Sequence, residues 1–280
     1  MIGINFKHIR KDKYMLDRRE FLKTAFLLML TWGAGWIFCQ EADLASRFEP
    51  MQYKDGSGNI LLYRLLRPKM FQEHEKYPLV LFLHGIGERG DDNSAQLKWG
   101  VKNFATDENM EKYPCFVAVP QCPLDDFWVS ALEDLSSPYT MTEKPTDAIR
   151  MALELVEVLQ GEYPQIDPQR IYITGLSMGG FGTWDAVQRK PDLFAAAVPV
   201  CGGGDITQAE RIAHVPIWAF HGAEDRLVIP KWSRDMIAAI QEAGGNPKYT
   251  EYPGIGHRSW IEAYSNPRLF EWLFSQTQDR

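Results

Sequence analysis

Three side chains in this sequence have the types and the order needed to turn a hydroxyl into a nucleophile: Ser177, Asp225 and His257. A serine hydroxyl attacks poorly at neutral pH until an imidazole takes its proton during the attack. A carboxylate behind the imidazole fixes its tautomer and stabilises the imidazolium that forms, without taking the proton itself. The chemistry such a set performs is acyl transfer. Ser177 lies in Gly175-Leu176-Ser177-Met178-Gly179, after the apolar run Arg170-Ile171-Tyr172-Ile173-Thr174 and before Gly180-Phe181-Gly182-Thr183-Trp184. That reads as a strand, a tight turn with serine at its apex, and a helix, the small neighbours letting the backbone reverse sharply.

Each partner has competitors. Asp225 ends His221-Gly222-Ala223-Glu224-Asp225, after the strand-like Pro216 to Phe220, and Val228 and Pro230 follow it. Glu224 and Asp205, the latter after Cys201-Gly202-Gly203-Gly204, are the alternatives, and the turn with its following Val-x-Pro favours Asp225. His257 closes Pro253-Gly254-Ile255-Gly256-His257, a glycine-rich loop just past the alternating Lys248 to Tyr252. His8, His74 and His214 lie in a leader, a polar loop and a pre-strand position, and His84 and His221 open His-Gly pairs where the ring braces its loop. For the oxyanion, the spacing points to the backbone N–H groups of Met178, just after the nucleophile, and of Ile86, in His84-Gly85-Ile86-Gly87 at the end of Leu79 to Leu83.

The elements that must carry these residues follow from periodicity. Met51 to Tyr53 and Ile60 to Leu66, joined through Asp55-Gly56-Ser57-Gly58, predict an opening hairpin. Strands are predicted at Leu79 to Leu83, Phe116 to Val119, before Ser177, at Ala195 to Val200, Ile217 to Phe220 and Tyr249 to Tyr252. Helical spacing marks Pro145 to Leu159, ending at Gly161, and helices near Phe181–Lys190, Trp232–Ala243 and Pro267–Gln276. Strands alternating with helices predict a mostly parallel central sheet with helices on both faces, preceded by an antiparallel hairpin.

The combination of His84 to Asn93, Pro120-Gln121-Cys122-Pro123 with Trp128, the Ser177 turn, Cys201 to Asp205 and His221 to Asp225 resembles the secreted bacterial esterases of the α/β-hydrolase superfamily. The similar groups are carboxylesterase/phospholipase-like proteins, poly(3-hydroxybutyrate)-depolymerase-like esterases and proteins called predicted peptidases. The likeness runs from about Met51 to the C-terminus. It implies the α/β-hydrolase fold, the chain order Ser177, Asp225, His257, and hydrolysis of carboxylic esters through an acyl-enzyme. A serine peptidase acting on short peptides, or a non-catalytic binding protein on the same scaffold, are the alternatives.

Composition bounds the rest. The 280 residues are 45% hydrophobic and 24% charged, enough for one sizeable α/β domain, expected over residues 47–280. The net charge is −7, with seven Lys or Arg against three Asp or Glu in the first forty residues, leaving −11 on the rest. Nothing there suits nucleic acid. No zinc-type Cys/His spacing, P-loop or dinucleotide fingerprint occurs, so neither metal nor cofactor is expected, and the partner is a small-molecule ester.

Asp17-Arg18-Arg19-Glu20-Phe21-Leu22-Lys23 followed by the uncharged stretch Thr24 to Phe38 has the form of an export signal, and its paired arginines resemble the twin-arginine type. Residues 1–40 are therefore expected to be a leader, with Met15 an alternative start, and the mature protein periplasmic or extracellular. A retained membrane anchor is the other reading. Cys115 and Cys122 flank an extended segment that holds them too far apart for a disulfide, so buried thiols are expected. Trp128 and Trp260, on loops at the carboxyl edge of the sheet, are expected to wall the substrate site. Glu88, Arg89, Asp91 and Asp92 read as a mostly solvated loop. No long insertion between Val200 and Asp225 supplies a lid, which favours small soluble esters.

Overall fold

The computed structural model describes residues 44–130 and 139–278. Ala45–Arg280 forms one compact unit. The expected leader at residues 1–40 lies outside the described residues.

Eight strands form one sheet: β1 (Glu49–Lys54), β2 (Ile60–Leu66), β3 (Tyr77–Leu83), β4 (Phe116–Pro120), β5 (Ile166–Leu176), β6 (Ala196–Val200), β7 (Trp218–Gly222) and β8 (Lys248–Tyr252). Their order is β1-β2-β4-β3-β5-β6-β7-β8. β1 and β2 form the antiparallel hairpin, and β2 also runs antiparallel to β4. From β4 to β8 every pairing is parallel. This is the mostly parallel sheet expected from the alternation of strands and helices.

β3, β4 and β6 are buried along their whole length, the continuous apolar pattern of parallel strands covered on both faces. Alternate residues serve the two layers. Leu79, Leu81 and Leu83 pack in one cluster with Ile149, Ala152 and Val156 of α2 (Asp147–Glu162), Trp184 and Val187 of α3 (Met178–Arg189), and Met236 and Ile240 of α4 (Lys231–Glu242). On the other face Phe82 meets Phe104 and Tyr264, and Tyr172 meets Phe274. That layer is built by α1 (Asp107–Lys112), α5 (Trp260–Tyr264), α6 (Pro267–Phe274) and the 3-10 segment Val101–Ala105.

The helix ends follow from local chemistry. Thr146 caps α2 by accepting from the Ile149 N–H, and Asn266 caps α6 by accepting from Arg268, with Pro267 in its first turn. α2 does not stop at Gly161 as the sequence suggested but runs on to Glu162. Gly161 is exposed with open space around it, so it weakens the helix there without forcing an end. Cys115, Cys122 and Cys201 are buried free thiols. Among the described residues no helix is long and apolar enough to cross a membrane.

Candidate active site

Parallel pairing from β4 to β8 brings the loops after these strands to one edge of the sheet, and the chemistry-bearing residues all sit on such loops. Ser177 stands between β5 and α3 at φ 54°, ψ −116°, a strained conformation for a residue with a Cβ. Packing holds it there. A Cβ on Gly179 would lie 1.9 Å from the Leu83 carbonyl oxygen, and one on Gly180 would lie 2.3 Å from that of Val200. Glycine at these positions lets the first turn of α3 press against the ends of β3 and β6, and the chain between strand and helix must bend sharply to allow it.

The structure brings Ser177, His257 and Asp225 together in series. The Ser177 Oγ is 2.9 Å from His257 Nε2, and His257 Nδ1 is 2.7 Å from Asp225 Oδ2. The carboxylate accepts at Nδ1, so that nitrogen carries the proton and Nε2 is left to receive one from the serine. Asp225 Oδ1 takes the N–H groups of Leu227 and Val228. Burial alone would push the Asp225 carboxyl up, but hydrogen bonds from His221, His257 and the Val228 backbone outweigh it and hold the group well below the usual carboxylate range. The site therefore contains a fixed negative charge behind a partly exposed imidazole.

The competing acids have other tasks. Asp205 is buried and caps the 3-10 segment Ile206–Ile212, accepting from Thr207, and its second oxygen accepts from the Met141 N–H. The Glu224 backbone N–H donates to the Ile255 carbonyl, tying the acid loop to the histidine loop, while it is Asp225 that bonds His257.

Met178 opens α3 and Ile86 opens the 3-10 turn Ile86–Glu88, so the amide of each lacks a partner within its own turn. Around the Ile86 loop the structure is densely braced. His84 donates from Nδ1 to the Gly85 carbonyl, and its Nε2 accepts from the Cys122 N–H. Burial pushes its pKa down to about 4, leaving a neutral ring. Gln121, also buried, donates to the Glu88 carbonyl and Asp92 and accepts from the Asn93 N–H.

Two expectations about this loop are corrected. Glu88 is not solvated but 5% exposed, and burial raises its pKa. Arg89 is half-buried, stacking 4.3 Å from the Phe127 ring and donating to the Asp126 carbonyl. Asp92 accepts from the Ser94 and Ala95 N–H groups, a turn-forming role.

Trp128 is a further correction. It is fully buried, its indole N–H donates to the His84 carbonyl, and its ring meets the His84 ring edge-on at 5.2 Å. A Cβ on Gly182 would lie 2.7 Å from the Trp128 Cβ, so the tryptophan seats α3 and has no surface left to offer a substrate. Trp260 is also buried, at 7% exposed, with its ring edge-on to His257 at 5.3 Å. Trp99 packs against Trp260 at 6.2 Å beneath the Arg258 guanidinium, a role the sequence reading missed because Trp99 belongs to no periodic element.

Cys201 was missed as well. It follows β6 at φ 43°, and with Asp225 and His257 it places three ligand-type atoms within 4.8 Å of one another. Asp225 and His257 are already bonded to each other, and Cys201 beside them is a buried free thiol whose pKa burial raises. A cavity of about 730 Å³ lined by Lys190, Phe194, His214 and Gln278 contains none of these residues and no nucleophile paired with a base.

The fold and the strand-turn-helix around Ser177 are those of an α/β-hydrolase. The likeness runs to esterases. A solved thermostable esterase is 41% identical with a TM-score of 0.78, over 84% of this chain and 64% of that one. A probable carboxylesterase of Oryza sativa subsp. japonica is 28% identical, over 66% of this chain and 88% of its own. A poly(3-hydroxyoctanoate) depolymerase of Pseudomonas fluorescens is 26% identical, over 59% of this chain and 61% of its own. This chain thus spans less than two thirds of the thermostable esterase and of the depolymerase. The model of the prolyl oligopeptidase family matches residues 142–217.

Proposed function

We propose that this protein is a serine hydrolase of carboxylic esters, with Ser177 as nucleophile, His257 as general base and then acid, and Asp225 as the orienting carboxylate. The observation that carries the reading is the unbroken series Ser177 Oγ to His257 Nε2 at 2.9 Å and His257 Nδ1 to Asp225 Oδ2 at 2.7 Å. His257 takes the serine proton as Oγ attacks the ester carbonyl, and the tetrahedral oxyanion is received by the N–H groups of Met178 and Ile86. The imidazolium, steadied by the Asp225 charge, protonates the departing alcohol, and water then repeats the steps on the acyl-enzyme. The names of the similar carboxylesterases, esterase and depolymerase support an ester as the substrate. The absence of a long insertion between β6 and Asp225 supports a small one.

The test is reaction of the full chain with a fluorophosphonate probe and with p-nitrophenyl acetate, beside Ser177→Ala. Labelling and turnover that both vanish in the variant are the expected result. A folded wild-type protein that neither labels nor turns over overturns the proposal. The match to the prolyl oligopeptidase family supports a second reading, a peptidase with the same machinery; p-nitroanilide peptides cleaved as fast as the matching esters would favour it. We also propose, from the paired arginines and apolar stretch of the N-terminus, that the protein is exported.

A further inference from the structure

We propose that His221 and Ser233 are positioning residues, a buried bridge that ties Asp225 to the seat of the nucleophile helix. The inference rests on the reading of Asp225 as the acid behind His257.

Both residues are fully buried. His221 Nε2 is 2.8 Å from the Val228 carbonyl oxygen and 3.3 Å from Asp225 Oδ2. Both neighbours only accept, so Nε2 carries a proton and points it between them. On the other side of the ring, Nδ1 is 2.8 Å from the Ser233 Oγ, which in turn lies 2.9 Å from the Gly202 carbonyl oxygen. Gly202 is pressed against α3: a Cβ on it would lie 2.4 Å from the Gly180 carbonyl carbon and 2.6 Å from the Phe181 nitrogen. The contacts form a circuit that runs from Ser177 through His257, Asp225, His221, Ser233 and Gly202 back to the first turns of the helix that Ser177 begins.

Such a circuit does more than satisfy buried polar groups. Asp225 has donors on both oxygens, Leu227 and Val228 on Oδ1 and two imidazoles at Oδ2. A carboxylate held on both sides cannot rotate as the charge on His257 appears and disappears. Because the bridge ends where α3 is seated, acid and nucleophile keep one spacing through the cycle. Neither His221 nor Ser233 touches the serine hydroxyl, so their effect belongs in turnover and not in substrate affinity.

The experiment compares full-chain His221→Leu, His221→Gln and Ser233→Ala with wild type and Ser177→Ala. It reads kcat and KM on p-nitrophenyl acetate, fluorophosphonate labelling rate, Tm and the downfield proton resonance of the His257 Nδ1–H. Glutamine can place an N–H near the position of the lost Nε2. Expected are a fall in kcat of about 10- to 100-fold in His221→Leu, the scale of one lost hydrogen bond to a charged group, with KM changed less than about twofold. His221→Gln recovers most of that loss, Ser233→Ala falls between, and the His257 resonance moves in His221→Leu. A folded His221→Leu with wild-type kcat and an unmoved resonance, whatever its Tm, overturns the proposal. Should His221→Leu not fold, wild-type kcat in Ser233→Ala overturns it equally. If Ser177→Ala keeps turnover, the underlying reading has failed instead.

Discussion

Gly179 lies so close to Leu83 that a Cβ on the glycine would overlap the leucine's carbonyl oxygen. The nucleophile helix and the strand that leads into the Ile86 loop are therefore in backbone contact, with no side chain between them. The two proposed oxyanion donors, Met178 and Ile86, belong to these two pieces of chain, so their spacing is set by main-chain packing.

Gly179→Ala is expected to force the two segments apart. The neighbour is backbone and cannot swing aside, so the stability cost is at the upper end of overpacking, about 3 kcal/mol. In protein that still folds, kcat falls while KM stays near wild type, because the displaced amides act on the oxyanion. Thermal melts and steady-state kinetics on p-nitrophenyl acetate check both parts.

Asp225→Asn keeps the shape of the acid but removes its charge, and lets the amide NH₂ face His257 Nδ1. The imidazole then favours the tautomer with its proton on Nε2, where it cannot accept from Ser177. A fall in kcat of about 10⁴-fold is expected, with labelling by the fluorophosphonate probe slowed to match. Near-normal turnover would show that Asp225 does not orient the base.

His84 gives the protein a pH dependence of known sign. Its pKa is depressed from 6.5 to about 4 in the folded state, burial being the main cause. The unfolded chain therefore binds more protons between these values, and stability falls as pH drops from about 6.5 toward 4. The contribution is fully present above 6.5 and of order 3 kcal/mol. Unfolding midpoints in urea measured across that window should fall less steeply in His84→Gln than in wild type, and equal slopes would assign the effect elsewhere.

Trp128→Phe tests the correction made above. The change removes the hydrogen bond to the His84 carbonyl and part of a buried ring, so Tm is expected to drop. The relative kcat/KM values for short, long and aromatic esters should not change, since Trp128 lines no open surface. A shifted ester preference would restore it as a wall of the site.

The sequence was legible where function leaves a backbone signature. Tight turns at strand ends require small residues, so Ser177, Asp225 and His257 stand out as polar residues beside glycines after apolar runs, and the structure brings these three together. What could not be read was the direction of side chains on irregular loops. Trp128 and Trp260 look equivalent in sequence, yet one is sealed beneath α3 and the other touches His257, a difference decided by the packing of distant segments. Trp99 and the five-residue helix α5 escaped for a related reason. They are too short or irregular to leave a period, and their positions come from contacts with residues more than a hundred positions away, such as the Asn103 side chain bonded to the Tyr264 carbonyl.

α5 begins three residues after His257, and its Tyr264 hydroxyl lies 2.8 Å from that of Thr174 on the strand leading to Ser177. The nucleophile and its base are separated by eighty positions, so about a quarter of the protein leaves the ribosome after the serine and before the histidine. During synthesis Ser177 emerges well before His257. On the proposed mechanism, a chain broken off before β8 holds Ser177 without its base, and hydrolysis waits on the closing segments of the fold.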